Sequence, residues 1–374
     1  MQPQPLVSVR GLRVANEDAP VQPTVGLIHL AFYDLSEMQV SELVYDLPEE
    51  AIAQFPIEPR DAARLLVACD AQKAPEHARV RDLPQFVGSG DILVVNDTKV
   101  LRARLRLSKL TGGSVEVLLL APRDDTHVVW EALVRPGKRV RPGTELFHDG
   151  KPVVIVGDVL DDEGTRAVEL VTDQPADELI ARIGEIPLPP YIHETLADPD
   201  RYQTVYARTP GSVAAPTAGL HLTQAVLDAC RSAGAEIATV TLDVGLGTFR
   251  PMSVDRVEDH HMHAEHYVVP ESTIEAIGRA RRVIAVGTTS LRSLEAWAAS
   301  GAPRGSTELF IHGDYPFKVV DALLTNFHLP GSSLLALLDA FTGPRWRNLY
   351  ALALRDGYRF LSFGDAMLVD RRTS

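Results

Sequence analysis

Residues 271–301, ESTIEAIGRARRVIAVGTTSLRSLEAWAASG, decide the fold class. The first third reads as an amphipathic helix, VIAVGTTS as a short buried strand, and SLRSLEAWAASG as a second helix closed by Gly301. Upstream, LTQAVLDACRSAG (222–234) reads as a helix and EIATVTLDVGLGTF (236–249) as a strand running into a loop. Alternation of this kind implies an α/β domain built on parallel strands. Between Gly90 and Val171 the pattern changes to short β-branched runs, among them DILVVND, VLRARLRL, SVEVLLL and PVVIVGDVL, punctuated by Gly-Gly, Pro-Gly and Asp-Gly steps. That spacing predicts a small antiparallel barrel or sandwich. The expected architecture is a larger α/β domain (41–90 and 175–374) carrying an inserted antiparallel β-barrel-like domain (91–174), behind an N-terminal extension (1–40).

Composition narrows the function classes. The chain has 374 residues, more than one hydrophobic core usually organises, and 45% hydrophobic against 23% charged residues is ordinary for a soluble globular protein. A formal charge of -13 argues against a general nucleic-acid coat or a basic membrane-surface protein, while leaving room for a local cationic patch. Two distant cysteines, Cys69 and Cys230, exclude a disulfide framework and any C-x-x-C motif, and point to the cytosol. The opening MQPQPLVSVRGLRV has no continuous apolar run, so neither export nor anchoring is expected.

Several segments carry chemistry. In the strand expected over 101–107, Leu101, Ala103, Leu105 and Leu107 share one face while Arg102, Arg104 and Arg106 share the other. Successive arginines lie roughly 6.6 Å apart, near the phosphate spacing of an RNA strand. RPGKRVRPG (135–143) adds Lys138 and Arg139 nearby. The face is either a solvated polar surface or an RNA-docking stripe. The strand-to-helix loop through Gly287, Thr288, Thr289 and Ser290 presents hydroxyls and backbone N–H groups to an anion, with Arg292 just inside the helix; plain N-capping is the simpler alternative. DVGLGTFRP (243–251) places Gly245 and Gly247 after a strand but lacks the third glycine of a dinucleotide fingerprint, and no Walker A pattern occurs. DHHMHAEH (259–266) invites a metal, yet neither the deaminase cysteines nor an H-E-x-x-H partner exists, leaving proton transfer by His263 or Glu265, or surface histidines. PGSVAAPTAGLHLT (210–223) and LLTNFHLPGSSL (323–334) fit helix caps at Thr223 and Ser332, which leaves His221 and His328 without a purpose.

Taken together, YDLPEEAIAQFP, GDILVVNDTKV, WEALVRPGKR, IPLPPYI, PGSVAAPTAGLHLT, VGLGTFRP, EDHHMHAEHY, VIAVGTTSLRSLE, FKVVDALLTNFHLPGSSL and YRFLSFGDAML closely resemble the S-adenosylmethionine:tRNA ribosyltransferase-isomerases of queuosine biosynthesis. The likeness runs from about residue 45 to 369. It implies a cytoplasmic transferase that moves and isomerises the ribosyl group of S-adenosylmethionine onto 7-aminomethyl-7-deazaguanine at the tRNA wobble position. Epoxyqueuosine, adenine and methionine would be the products, with no metal and no cofactor beyond that co-substrate. By the same resemblance, His221, Asp243, His263, Glu265 and His328 are the catalytic candidates. Pro216, Thr217, Gly245, Gly247, Thr248, Phe249, Thr288, Thr289, Ser290, Arg292 and Asn326 are the substrate-binding ones. The family usually has histidine at Asp243, phenylalanine at Leu222, proline at Arg102 and serine at Asp339, so two departures add a carboxylate near the expected chemistry. Asp243 either takes over the histidine's task or marks a paralogue acting on another acceptor. From a different class, the cationic strand alone fits a non-catalytic RNA-binding protein.

Overall fold

DILVVN and RVIAV bury nearly every side chain they carry, so each needs a packed layer on both faces of its sheet. The computed structural model describes residues 38–161, 164–245 and 251–372, and the extension before residue 38, with its VGLIHLAFY, lies outside them. In chain order the strands are β1 (Arg64–Ala68), β2 (Glu76–Arg79), β3 (Asp91–Asn96), β4 (Thr98–Val100), β5 (Arg104–Lys109), β6 (Ser114–Pro122), β7 (Val129–Arg135), β8 (Thr144–His148) and β9 (Lys151–Val159). They continue as β10 (Arg166–Leu170), β11 (Gly184–Glu185), β12 (Thr209–Ser212), β13 (Glu236–Leu242), β14 (Glu265–Val268), β15 (Arg282–Val286), β16 (Arg304–Thr307), β17 (Ala322–Asn326) and β18 (Ala366–Asp370). Helices are α1 (Ala176–Ile183), α2 (Gln224–Ser232), α3 (Glu271–Arg279), α4 (Thr288–Ser300), α5 (Ser333–Thr342) and α6 (Arg345–Arg355).

A nine-stranded mixed sheet runs in the order β16-β14-β13-β3-β15-β17-β18-β1-β2. Its centre is parallel, β13 with β3, β3 with β15 and β15 with β17, as the strand-helix alternation predicts. Period-2 alternation divides its side chains between two cores. Ile92, Val94, Val283, Ala285 and Leu323 pack with Leu291 and Leu294 of α4 and with α5 and α6. Leu93, Val95, Ile284, Val286 and Leu324 pack on the other face against Val226, Leu227 and Cys230 of α2. Thr223 and Ser332 cap α2 and α5 by accepting from Val226 N (3.2 Å) and Leu335 N (3.3 Å), so the expected caps are present. After Asp46 the chain makes a 3-10 turn, Glu49–Ala51, with Pro48 as its N-cap.

The second sheet closes on itself. β5, β6, β7, β10, β9 and β8 follow one another antiparallel, and Ser108 of β5 pairs back to Phe147 of β8, which completes a barrel; β11 adds to the free end of β5. Leu105, Leu107, Val117, Trp130, Val154 and Val168 fill it, with Leu179 and Ile180 of α1. β3, grouped by sequence with residues 91–174, pairs instead at the centre of the large sheet, because its run is buried on both faces where barrel strands alternate. A small cluster, including Ile186, Ile192, Tyr202, Leu220 and Phe363, ties the segment after the barrel to the large sheet. The described residues form one compact unit.

Candidate active site at the strand ends

Because β13, β3, β15 and β17 are parallel, their carboxyl ends open on one edge, where α/β sheets place their ligand sites. β14 runs antiparallel to β13, so its first residue, Glu265, arrives at the same edge. This brings Asp243, Gly245, Glu265, Thr288, Thr289, Ser290 and Asn326 together from distant parts of the chain.

Glu265 and Arg292, expected to act separately, form an ion pair with both side chains 5% exposed. The other carboxylate oxygen of Glu265 accepts from Gly245 N at 3.0 Å, and Arg292 Nε donates to the Leu309 carbonyl at 3.1 Å. Among the described residues Arg292 Nη2 is buried without a hydrogen-bond partner, as is Thr289 Oγ1. Plain capping does not explain the loop. The N-cap of α4 is Gly287 at φ 86°, a conformation that disfavours a side chain, and Ser290 Oγ turns back to the Val286 carbonyl at 2.8 Å. The spare Nη2 and hydroxyl are what an incoming carboxylate needs.

The two histidines left over by the capping argument are both buried here. Asn326 Nδ2 lies 3.0 Å from His221 Nε2, and Thr217 Oγ1 donates to Asn326 Oδ1 at 2.9 Å. Since the Asn326 amide donates, Nδ1 of a neutral His221 carries the ring proton. His328 Nε2 lies 3.0 Å from Thr325 Oγ1, and its backbone is held by Tyr350 and Tyr45. Burial pushes both imidazoles down to about 3, with Arg359, Arg201 and Arg60 adding to the effect on His221. Both rings are therefore neutral near pH 7 and are held in place by these hydrogen bonds. A cavity of about 30 Å³ reaches Asn326 and His328 between Thr217, Tyr191, Ser332 and Ser362, room for one functional group. Pro216 is the N-cap of the 3-10 turn Thr217–His221.

Asp243 continues β13 beside Thr98, whose hydroxyl lies 3.5 Å from Oδ1, and Gly211 leaves the space for its carboxylate. Burial raises its pKa, Glu265 reinforces the rise, and His266 and Thr98 oppose it. A protonatable carboxyl thus stands where the family usually has an imidazole. Sequence reading missed Asn96 and Asp97 at the end of β3. Asn96 clamps both backbone groups of Leu242 at 3.1 Å, and Asp97, 2% exposed, accepts from Thr241 (2.7 Å) and Arg208 (2.6 Å). A polar pair ending the buried run DILVV was the available signal.

Other expected residues fall elsewhere. His263, His261 and His266 are exposed before or within β14, and among the described residues no group of three His, Cys, Asp or Glu could hold a metal ion. Gly247, Thr248 and Phe249 lie outside the described residues. Asp339, expected near the chemistry, instead accepts from the Trp346 indole N–H at 2.7 Å between α5 and α6, where one turn of helix and a tight connection bring the two together. Leu222 is fully buried beneath α2. On the barrel, Arg102, Arg106, Lys138 and Arg139 are exposed and Arg104 is half-buried; Arg106 pairs with Glu185 at 2.8 Å and Arg104 approaches Glu116 at 3.8 Å.

Comparison with known proteins gives the family of the chain. Residues 40–369 match the family model described as queuosine biosynthesis protein. The S-adenosylmethionine:tRNA ribosyltransferase-isomerase of Rubrobacter xylanophilus is 51% identical over 89% of this chain and 98% of its own length. That of Symbiobacterium thermophilum is 49% identical over 89% of this chain and all of its own. The crystal structure of S-adenosylmethionine tRNA ribosyltransferase from Thermotoga maritima, 35% identical, covers 88% of this chain and 100% of its own with a TM-score of 0.50. A mixed α/β sheet with a closed antiparallel barrel, the strand-end constellation and likeness across the full length of these relatives together make the chain a member of the queuosine-biosynthesis family of S-adenosylmethionine:tRNA ribosyltransferase-isomerases.

Proposed function

We propose that this chain transfers the ribosyl group of S-adenosylmethionine to 7-aminomethyl-7-deazaguanine at the tRNA wobble position and isomerises it to epoxyqueuosine, releasing adenine and methionine. The observation that carries the reading is the strand-end edge, where family-matched polar residues from β13, β14, β15 and β17 converge around buried hydrogen-bonding atoms that have no partner among the described residues. Likeness to relatives over almost their whole length favours it over a paralogue with another acceptor or a binder without catalysis.

Roles follow from the environment of each group. Arg292 Nη2 and Thr289 Oγ1 take the methionyl carboxylate, because both are buried donors without partners among the described residues. Asp243 and Glu265 are the carboxylates that accept a proton from the sulfonium-activated ribose. Of the two, Asp243 is less committed, since Glu265 already binds Arg292 and Gly245. Neutral His221 and His328 orient the nucleoside through hydrogen bonds rather than deliver protons. The anticodon loop is single-stranded, so the target base enters a pocket at little unpairing cost. The exposed cations of the barrel bind its phosphates. A tRNA substrate and the free cysteines also favour a cytoplasmic location.

Mass spectrometry of a reaction with purified protein, S-adenosylmethionine and tRNA bearing the deazaguanine base tests this directly. Epoxyqueuosine together with free adenine is expected. Adenine without the modified nucleoside would transfer the chemistry to another acceptor, and neither product from folded protein would leave only binding.

A further inference from the structure

The outer face of the barrel departs from its own alternation. Leu105, Val117 and Val134 point inward, so their neighbours point out in two cross-strand rows: Arg104, Leu118 and Leu133, then Arg106, Glu116 and Arg135. Two leucines thus occupy positions that are polar on a solvated strand. They are roofed by the segment at 188–190, which Arg104 ties down by donating to the Leu188 carbonyl at 3.2 Å. The roof leaves a cleft of about 300 Å³ bounded by Arg104, Glu116, Leu133, Arg135, Leu188 and Pro189. That is the small end of the range for pockets that enclose organic ligands, roughly 300–1,000 Å³.

The lining has three parts. Leucine and proline side chains give apolar walls. The Arg135 side chain stands exposed at the rim, and among the described residues it has no ion-pair or hydrogen-bond partner, while Arg104 Nε is buried without a hydrogen-bond partner among them. Glu116 supplies an acceptor carboxylate 3.8 Å from Arg104. Such walls suit a flat heteroaromatic ring, the Glu116 carboxylate suits an exocyclic amine, and the Arg135 guanidinium suits an attached phosphate. The roof also reaches the active site: one residue beyond Pro190, Tyr191 lines the cavity of Asn326 and His328, with its hydroxyl 2.7 Å from Ser362, and Ile192 is anchored beside Leu220 and Phe363.

We propose that this cleft is a nucleotide subsite: it holds the base of the nucleotide adjoining the modified one, with Arg135 on its phosphate, and the segment at 188–192 sets the spacing between that base and the reacting one. The inference rests on tRNA being the substrate. Its test is fluorescence anisotropy with a labelled anticodon stem-loop carrying the deazaguanine base, and with two versions abasic at the nucleotide on its 5′ or 3′ side. Arg135→Gln is expected to weaken binding of the intact stem-loop about tenfold and to reduce the salt slope by about one, with affinity for S-adenosylmethionine unchanged. The wild-type protein should lose affinity for one abasic stem-loop, whereas Leu133→Trp, which fills the cleft, should bind intact and abasic RNA equally weakly. A melting curve checks that the Trp variant is folded. An unaltered Arg135→Gln protein, or a wild-type protein indifferent to both abasic probes, overturns the subsite. Adenine release by the wild-type protein reports separately on the catalytic reading, because binding is measured without turnover.

Discussion

The protein contains two glutamate-arginine pairs of the same chemistry in opposite settings. Glu265 and Arg292 meet at the sheet edge with 5% of each side chain exposed, whereas Glu185 and Arg106 meet on the barrel with 51% and 62% exposed. The buried pair is a fixture. Removing either partner leaves a charge out of water, so the pair holds β14 to α4 and fixes the floor of the active site. The exposed pair is held only weakly, because water and salt screen its attraction. One region is organised by burial and places a few groups accurately; the other presents accessible charge, the setting the proposed RNA contact calls for.

The largest effect should come from Glu265→Gln. Leaving Arg292 uncompensated is expected to cost about 3–5 kcal/mol of folding free energy, read as a lower urea midpoint, with turnover falling as well. A loss below about 1 kcal/mol would place this pair in the same class as the exposed one and break the contrast.

An intermediate effect concerns the neutral histidines of the same region. In the unfolded chain an imidazole takes up its proton near 6.5, but His221 and His328 in the fold do so only near 3. Between those values the unfolded state binds more protons, so stability rises with pH and is lost as pH falls below 6.5. Melting temperatures measured from about pH 7 down to pH 5 should therefore decline, and His328→Gln should flatten the decline. An unchanged slope in that variant would mean that His328 is not buried in the neutral form.

These regions were unequally legible in the sequence. The α/β class followed from the alternation of 222–301, and the barrel from β-branched runs with glycine steps, because both depend on local periodicity. The edge at which Asp243, Thr289 and Asn326 meet followed only through family resemblance, since it depends on strand order. The Glu265–Arg292 pair was hidden for the same reason: the residues sit on different elements, and their separate roles seemed natural until the sheet joined them. Asp339 misled because a substitution in a motif says nothing of direction, and its carboxylate turns to Trp346. Leu118 and Leu133 read as ordinary strand hydrophobics, since a roof supplied by residues 188–190 leaves no local trace.

The smallest effect, and the sharpest on the barrel side, belongs to Glu185→Gln. The carboxylate occupies Arg106, whose Nε it accepts from at 2.8 Å, so under the proposed RNA contact it competes with phosphate. Its removal should leave stability within about 0.5 kcal/mol of wild type, as expected for an exposed pair away from any core. Arg106 is then free to neutralise phosphate. Binding of the anticodon stem-loop should tighten at low salt, and the logarithmic salt slope should steepen by at most about one. Arg102, exposed and already without a partner among the described residues, provides the reference: Arg102→Gln should flatten the slope where Glu185→Gln steepens it. Equal slopes in all three proteins would show that the arginine row does not meet the RNA backbone. The phosphate contacts would then lie with Arg135, Lys138 and Arg139, farther around the barrel.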